Sequence, residues 1–236
     1  MPSILMVLTG ATRWSLKDGT QRPTGFWAEE FVEPHSILRA AGARITLVTP
    51  GGRRPVPDEL SLRSEMNGGD PARVDEMRSY LDEVADALDA PGRLEEADAA
   101  GFDGVVIPGG HGPMQDLAVN EEVGALLAAV LPDFTKVVGA LCHGPAAFMP
   151  AGTEEGWLFR GRAMTSFTDE EERQTGLAGN APWLLESRLR AAGARFVAGA
   201  PWSSHVVVDG NLVTGQNPGS AREAAQAIVK EIGVRT

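Results

Sequence analysis

Short apolar runs alternate with longer amphipathic stretches along nearly the whole chain, and this alternation limits the folds that the sequence can adopt. The runs of strand length lie at 4–10, 43–52, 102–112, 136–142, 163–167, 195–199 and 206–215. Helix-length stretches lie between or after them, at 27–42, near 119–131, at 183–193 and from Ser220 onward. Such strand–helix alternation predicts an α/β fold with a mostly parallel sheet and helices on both faces.

Local signals add detail to this plan. Pro34 lies inside the stretch 27–42 and predicts a kink or a break there. Residues 53–69 have the composition of a loop, and the acidic segment 71–98, helical over 71–90, predicts an insertion between the second and third core strands. Asp209-Gly210 predicts a hairpin turn, and Ser220 with Glu223 has the spacing of a capping box.

Composition narrows the functional classes. The chain has 236 residues, 43% of them hydrophobic and 22% charged, which fits a single domain spanning 1–236 with a substantial core. The net charge of −11 argues against nucleic acid or an anionic membrane as a partner. A lone cysteine forms no internal disulfide, and the amino terminus lacks the basic region of a signal peptide. We therefore expect a cytoplasmic protein.

That cysteine, Cys142, stands where the apolar run "KVVGALC" turns into "HGPAAFM". Small residues, Ala140 and Gly144, lie two positions away on either side, as a strained nucleophile elbow requires. A helix that starts here would direct its positive end at the sulfur and favour the thiolate, and the His143 N–H would face a developing oxyanion. The alternative is a buried cysteine that only packs, but the turn favours a nucleophile.

Four segments together resemble the ThiJ/PfpI superfamily, whose members share the class I glutamine amidotransferase-like, flavodoxin-like fold: "GFDGVVIPGGHGPMQDL", "GALCHGPAAF", "TSFTDEEE" and "DGNLVTGQNPGSA". "TGFWAEEFVEP" and "VPDELS" resemble the branch of glyoxalase III and heat-shock protein 31. The resemblance covers nearly the whole chain and is weakest over 71–98.

The resemblance implies a role for each matching residue. Cys142 would be the nucleophile, His143 the adjacent histidine and Glu172 the acid that orients it, with Asp169 as the substitute if the register slips. Glu30 would be the buried carboxyl group beside the sulfur. Gly110 would add a second oxyanion N–H to that of His143.

Each acidic candidate has a simpler interpretation. Glu29, Glu30 and Glu33 could form the solvated face of a helix, and Glu170–Glu172 could be a surface run. His111 follows two glycines at a strand exit and could line the pocket as a substrate-binding residue, whereas His35 and His205 have no informative context. Cys142 and the histidines lack metal-ligand spacing, so we expect no metal.

The resemblance also implies a function. Members of this branch convert methylglyoxal to lactate without glutathione or another cofactor, which makes a small reactive aldehyde the expected substrate and a homodimer the expected assembly. Glutamine hydrolysis is disfavoured, because His205 is followed by "VVVD" without the paired acid. A holdase chaperone with unfolded protein clients is the alternative, with Trp14, Phe26, Trp27 and Trp202 as an exposed apolar patch; repair of glycated amines at the same cysteine is another.

Overall fold

A computed structural model describes residues 1–233, so the last three residues of the predicted domain lie outside the described part. The strands are β1 Ser3–Val7, β2 Arg13–Ser15, β3 Gln21–Pro23, β4 Arg44–Thr49, β5 Gly92–Arg93, β6 Gly104–Ile107, β7 Val137–Leu141, β8 Gly152–Thr153, β9 Gly156–Trp157, β10 Ala163–Met164, β11 Arg195–Phe196, β12 Val206–Asp209 and β13 Leu212–Gly215. The α-helices are α1 Ala28–Ala40, α2 Pro71–Glu83, α3 Ala85–Asp89, α4 Gly112–Gln115, α5 Glu121–Val130, α6 Asp169–Gln174, α7 Leu185–Ala192 and α8 Ala221–Gly233.

The central sheet has seven strands in the order β12-β13-β7-β6-β1-β4-β5. Every neighbouring pair is parallel except β12 and β13, which form the antiparallel hairpin predicted at Asp209-Gly210. Strands β1, β6 and β7 are buried along their whole length, as uninterrupted apolar runs require. The predicted α/β class with a mostly parallel sheet is confirmed.

Apolar layers cover both faces of this sheet. One core cluster packs strand residues such as Val105 and Val138 against Leu127 of α5 and Leu189 of α7. The second packs the opposite face against α1 and α8 through residues such as Phe31 and Ile228. Because both faces are closed, polar side chains of the central strands can gather only at the strand ends.

The helices differ from the predictions in three places. Helix α1 continues through Pro34, which is buried within it, so of the predicted kink or break the break is wrong and the kink stays a prediction. Packing against α8 and the sheet outweighs one missing backbone bond. The predicted helix 71–90 is divided into α2 and α3 at Val84. A capping box involves Asn217 and Ser220 instead of Ser220 and Glu223, and it precedes α8.

The hairpin β2–β3 lies between the predicted strand 4–10 and the predicted helix 27–42, in a stretch for which the sequence indicated no regular element. Trp14 of this hairpin is buried, and Phe26 and Trp27 are buried where the chain enters α1. Trp202 is the only member of the predicted apolar patch that is exposed, at 45%. The predicted exposed apolar patch is therefore wrong, because hydrophobicity alone does not show which side chains are buried in the core.

None of the helices within residues 1–233 combines the length and the apolar character needed to span a bilayer.

Candidate active site

Cys142 follows directly on β7 and adopts φ +54°, a left-handed conformation that only one other non-glycine residue among the described positions shares. The small neighbours are a steric requirement, since a Cβ on Gly144 would overlap the carbonyl oxygen of Ile107 on the adjacent strand β6. The cysteine N–H donates to the carbonyl of Gly215 at 2.8 Å, and its carbonyl accepts from Phe167 N–H at 2.9 Å. These contacts hold the strained turn that the sequence predicted.

The exit of β6 lies beside this turn, because Ile107 pairs with Ala140 in the sheet. Gly110 has φ +92°, and a Cβ there would lie 2.5 Å from the carbonyl oxygen of Gly25. The Gly110 N–H interacts with the sulfur and lowers the pKa of Cys142, although other effects dominate that pKa. Gly110 therefore presents its amide to the atom predicted to react.

A continuous chain of contacts links the sulfur to an acid. Cys142 Sγ lies 3.3 Å from Nδ1 of His143, and Nε2 of His143 lies 2.8 Å from Oε2 of Glu172. Burial by itself would raise the pKa of Glu172, but hydrogen bonds from His111 and His143 outweigh it and hold this pKa well below its usual range. An ionised Glu172 accepts from Nε2–H, which leaves Nδ1 of His143 as the acceptor for the thiol proton.

The acidic run 169–172 divides into four different roles. Glu171 is buried and forms a capping box with Thr168, while Asp169 contacts Ser187 at the start of α7. Glu170 pairs with Arg173 at the surface. Glu172, and not Asp169, therefore reaches His143.

Glu30 lies inside the protein on the first turn of α1. Its Oε2 accepts from Gly109 N–H at 2.9 Å, and the Trp27 N–H at the start of the helix donates to the Gly109 carbonyl at 3.1 Å. Burial raises the pKa of Glu30 to about 8, against the opposing effect of a hydrogen bond with the Cys142 thiol. Its neighbours Glu29 and Glu33 instead pair with Arg73 and Arg222, so only Glu30 joins the cluster.

The electrostatics of the sulfur differ from the prediction. Burial raises the pKa of Cys142 well above its usual value, and the nearby Glu30 carboxyl group raises it further. The element after the cysteine is a short 3-10 helix, Gly144–Phe148, rather than a long α-helix, and its short dipole does not outweigh burial. Burial and the Glu30 carboxyl group both favour the thiol over the thiolate that the sequence predicted.

His111 contributes to the cluster in a way that the sequence did not indicate. It lines the cavity as predicted, but its Nε2 lies 3.1 Å from Oε1 of Glu172, so the two histidines share one carboxylate. Its ring lies between Trp14, at 4.5 Å, and His143, at 4.2 Å between centroids. Burial lowers the pKa of His111 to about 4, which keeps the imidazole neutral.

The group His111, His143 and Glu172 has ligand atoms of metal-binding type within 4.8 Å of one another. The sequence spacing missed this cluster because the three residues come from different elements. Both Nε2 atoms are engaged with the Glu172 carboxylate, and the absence of a metal stays a prediction. The remaining histidines are packing residues: His35 lies 2.8 Å from the Tyr80 hydroxyl and His205 contacts the Val197 carbonyl.

A cavity of about 380 Å³ opens in front of the cysteine. Its walls are mostly apolar or aromatic, and they are formed by Arg22, Trp27, Leu60, Met66, Gly110, His111, Cys142, His143, Phe167, Gln174, Thr175, Leu177, Trp202 and Pro218. Trp202 has φ +62°, and Glu171 Oε1 accepts its N–H at 2.8 Å. Neither Arg22 nor Trp202 belongs to a sequence motif, so the sequence did not indicate that they line the cavity.

Comparisons with family profiles and with known proteins agree on one family. The profile of the DJ-1/PfpI family matches residues 23–231. Glyoxalase 3 of Candida albicans is 28% identical over 97% of this chain and 98% of its own length. The glutathione-independent glyoxalase HSP31 of Saccharomyces cerevisiae is 26% identical over 94% of each chain.

A third relative is named for a different activity. The protein/nucleic acid deglycase HchA of Pseudomonas aeruginosa is 26% identical over 97% of this chain and 80% of its own. Among solved structures, glyoxalase III from Candida albicans superposes with a TM-score of 0.83 at 26% identity, over 98% of this chain and 97% of that one.

Proposed function

The chain belongs to the DJ-1/PfpI family, and on that premise we propose that it is a glutathione-independent glyoxalase, a lyase of the D-lactate dehydratase type. It converts methylglyoxal and related 2-oxoaldehydes to 2-hydroxy acids, with Cys142 as the nucleophile. The observation that carries the proposal is the contact chain from the sulfur of Cys142 through His143 to Glu172, with the buried Glu30 carboxyl group beside the sulfur. The names of the Candida and Saccharomyces relatives support it.

The first step is addition of the sulfur to the aldehyde carbon. As the C–S bond forms, the thiol proton moves to Nδ1 of His143, which lies 3.3 Å from Sγ. The negative charge develops on the aldehyde oxygen, where the Gly110 and His143 N–H groups stabilise it. Return of the proton to this oxygen gives a hemithioacetal and neutral His143.

The second step moves a hydrogen between two carbons. Neutral His143 takes the proton from the former aldehyde carbon at Nδ1 while the Glu30 carboxyl group gives its proton to the ketone oxygen, which gives an enediol. His143 then returns its proton to the former ketone carbon, and the Glu30 carboxylate takes the proton of the hydroxyl group on the former aldehyde carbon, which gives a 2-hydroxyacyl thioester and restores both side chains. Water then cleaves the C–S bond, releases the hydroxy acid and restores the thiol.

Glu172 and His111 support this chemistry without touching the substrate carbons. The Glu172 carboxylate fixes the tautomer of His143 and stabilises its transient positive charge. His111 forms a hydrogen bond with the other oxygen of the Glu172 carboxylate. In this proposal it is therefore a residue that positions Glu172.

Lactate formation tests the proposal directly. Purified protein incubated with methylglyoxal, without glutathione, should produce lactate, and Cys142→Ala should produce none while keeping the wild-type circular dichroism spectrum. The proposal would be overturned if the wild type formed no hydroxy acid from methylglyoxal, phenylglyoxal or any other 2-oxoaldehyde.

Deglycation is a second candidate, favoured by the name of the Pseudomonas relative. Free aldehyde leaves glycated amines spontaneously, so a glyoxalase removes it no faster than it is released. Lactate formation from a preformed methylglyoxal–amine adduct should therefore reach a plateau as enzyme is added. A rate that continues to rise with enzyme concentration would show direct attack on the adduct, and would replace the glyoxalase proposal by the deglycase.

A further inference from the structure

We infer that Arg22 makes the catalytic cavity a binding site for 2-oxoaldehydes that carry a carboxylate at the end remote from the aldehyde. The inference names the substrate class of the site and rests on the proposed glyoxalase function. Three properties of the cavity carry it: its size, the position of its charge and the free hydrogen-bonding edge of the arginine.

The cavity is large for a three-carbon substrate. Its volume of about 380 Å³ lies in the range of pockets that bind whole metabolites, roughly 300–1,000 Å³. Methylglyoxal bonded to Cys142 would fill a small part of it and leave the walls around Leu60, Met66 and Trp27 without contact. A longer carbon chain would use these apolar walls, so the cavity favours a substrate that extends away from the sulfur.

Among the described residues that line the cavity, Arg22 is the only lysine, arginine, aspartate or glutamate. It belongs to β3, and its side chain also borders a neighbouring groove of about 780 Å³. The chain as a whole carries −11, which repels anions from its surface. The guanidinium between apolar walls therefore favours binding of an anion in the cavity, whereas the rest of the protein surface repels anions.

One terminal nitrogen fixes the guanidinium in place. Nη1 donates to Oδ2 of Asp58 and to the Pro23 carbonyl, both at 3.3 Å. Asp58 is itself anchored, because Oδ2 accepts from the Thr24 hydroxyl at 3.1 Å and Oδ1 from the Leu60 N–H at 3.0 Å. Asp58 lines the neighbouring groove and is not part of the cavity wall.

The other edge of the guanidinium remains available. Within residues 1–233, no group accepts a hydrogen bond from Nε or Nη2 of Arg22. These two nitrogens present parallel N–H bonds that match the two oxygens of a carboxylate. Anchored at Nη1 and free along Nε–Nη2, Arg22 is prepared for bidentate binding at little cost in side-chain entropy.

Arg22 is also close enough to influence the catalytic cluster, since its charge contributes to the lowered pKa of His111. One substrate can therefore place its aldehyde at Cys142 and its carboxylate at Arg22 within the same cavity.

A matched pair of substrates tests the inference. 4,5-Dioxovalerate is a 2-oxoaldehyde with a remote carboxylate, its product would be 2-hydroxyglutarate, and its methyl ester has a similar shape without the charge. The wild type should show a kcat/KM at least about tenfold higher for the acid, a typical value for a charge-assisted bidentate contact. Arg22→Gln should remove that preference, so that the ratio of kcat/KM for the acid to kcat/KM for the ester falls to about one.

The control is Arg63→Gln, which removes an exposed arginine that lines the neighbouring groove and not the cavity. It should retain the preference for the acid. Equal activity of the wild type on acid and ester, or a loss in Arg22→Gln that is the same for both substrates, would refute the inference.

Binding to the Cys142→Ala protein separates the two proposals. Calorimetric titration with 4,5-dioxovalerate and its ester should show tighter binding of the acid, and Arg22→Gln in the same background should abolish the difference. If this preference is found while the wild type forms no hydroxy acid, the glyoxalase proposal fails and the carboxylate site stands. If hydroxy acid forms but acid and ester bind equally, the carboxylate site is refuted and the glyoxalase proposal stands.

Discussion

Glu30 on α1 and Glu172 on α6 are two buried carboxyl groups of one site, and they have opposite charge states. Glu30 receives one backbone N–H, from Gly109, and its pKa is raised to about 8. Glu172 receives the N–H groups of two histidines, and its pKa is held well below the usual range. Burial acts in the same direction on both, so the donors around each group decide whether it holds a proton.

The comparison extends to the rest of each helix. Glu33 on α1 and Glu170 on α6 pair with exposed arginines, and Glu29 on α1 is buried and pairs with Arg73. Each acidic run thus contains one carboxyl group of the site among others that are solvated or structural. Each of the following substitutions changes one of these two carboxyl groups, or one hydrogen-bond donor to it.

Glu172→Gln should have the largest effect. A glutamine amide cannot accept from both imidazoles, so His143 loses the partner that fixes its tautomer. We expect the rate of lactate formation to fall by about 10³–10⁴-fold, the scale seen when a triad acid becomes an amide. Steady-state kinetics with methylglyoxal would measure the change.

Glu172→Gln should also lower stability in a pH-dependent way. The depressed pKa of Glu172 contributes stability above its ordinary value of 4.5, and this contribution is lost as the pH falls. Urea unfolding should therefore show a difference from the wild type at pH 7 that decreases below pH 4.5. A variant with wild-type kinetics would exclude Glu172 from the mechanism.

Glu30→Gln should have the second largest effect. It removes the mobile proton but preserves the shape of the side chain, and a loss of about 10²–10³-fold is typical of a missing acid–base group. Wild-type activity should decrease as the pH rises through about 8, where Glu30 loses its proton. Glu33→Gln, on the same helix and paired with the exposed Arg222, is the control and should change activity less than about twofold.

Glu30→Gln should also change how the free energy of unfolding depends on pH. Folded Glu30 keeps a proton that the unfolded chain releases above 4.5. Stability of the wild type should therefore fall as the pH rises from 4.5 towards about 8, by up to ~1.4 kcal/mol per pH unit. Unfolding of Glu30→Gln should lack this slope, and an unchanged slope would mean that Glu30 is ionised in the native protein.

His111→Phe should have the smallest effect. It keeps the ring between Trp14 and His143 but removes one donor from Glu172, so the pKa of Glu172 should rise. We expect about a tenfold loss of activity, with the acid limb of the pH–rate profile displaced upward by about one pH unit.

His111→Gln retains an N–H donor without the ring, and it should keep the acid limb of the wild type. A phenylalanine variant with the activity and acid limb of the wild type would show that His111 acts through ring packing alone.

Much of the fold followed from the sequence, because buried parallel strands must be apolar along their length and helices must be amphipathic. The turn at Cys142 was predictable for a similar reason, since the small residues around it answer a local steric demand. Glu30 and Glu172 came from a resemblance, and nothing in an acidic run marks which member is buried.

Local sequence patterns could not predict contacts between distant segments. Arg22 lines the cavity because it belongs to the hairpin β2–β3, for which the sequence had indicated no regular element. The shared carboxylate of Glu172 joins residues 111, 143 and 172, which no spacing rule connects. The exposed patch was wrong because Trp14, Phe26 and Trp27 are taken up by packing around the hairpin and α1.

The uncharged, 3% exposed sulfur of Cys142 has a consequence for survival of the protein under stress. Peroxides and alkylating agents react with the anion of cysteine, and a neutral, enclosed sulfur resists conversion to sulfenic and higher acids. In the proposed reaction, the sulfur becomes reactive when the aldehyde enters and the proton passes to His143. Oxidants should therefore react with this side chain more slowly than with an exposed thiolate.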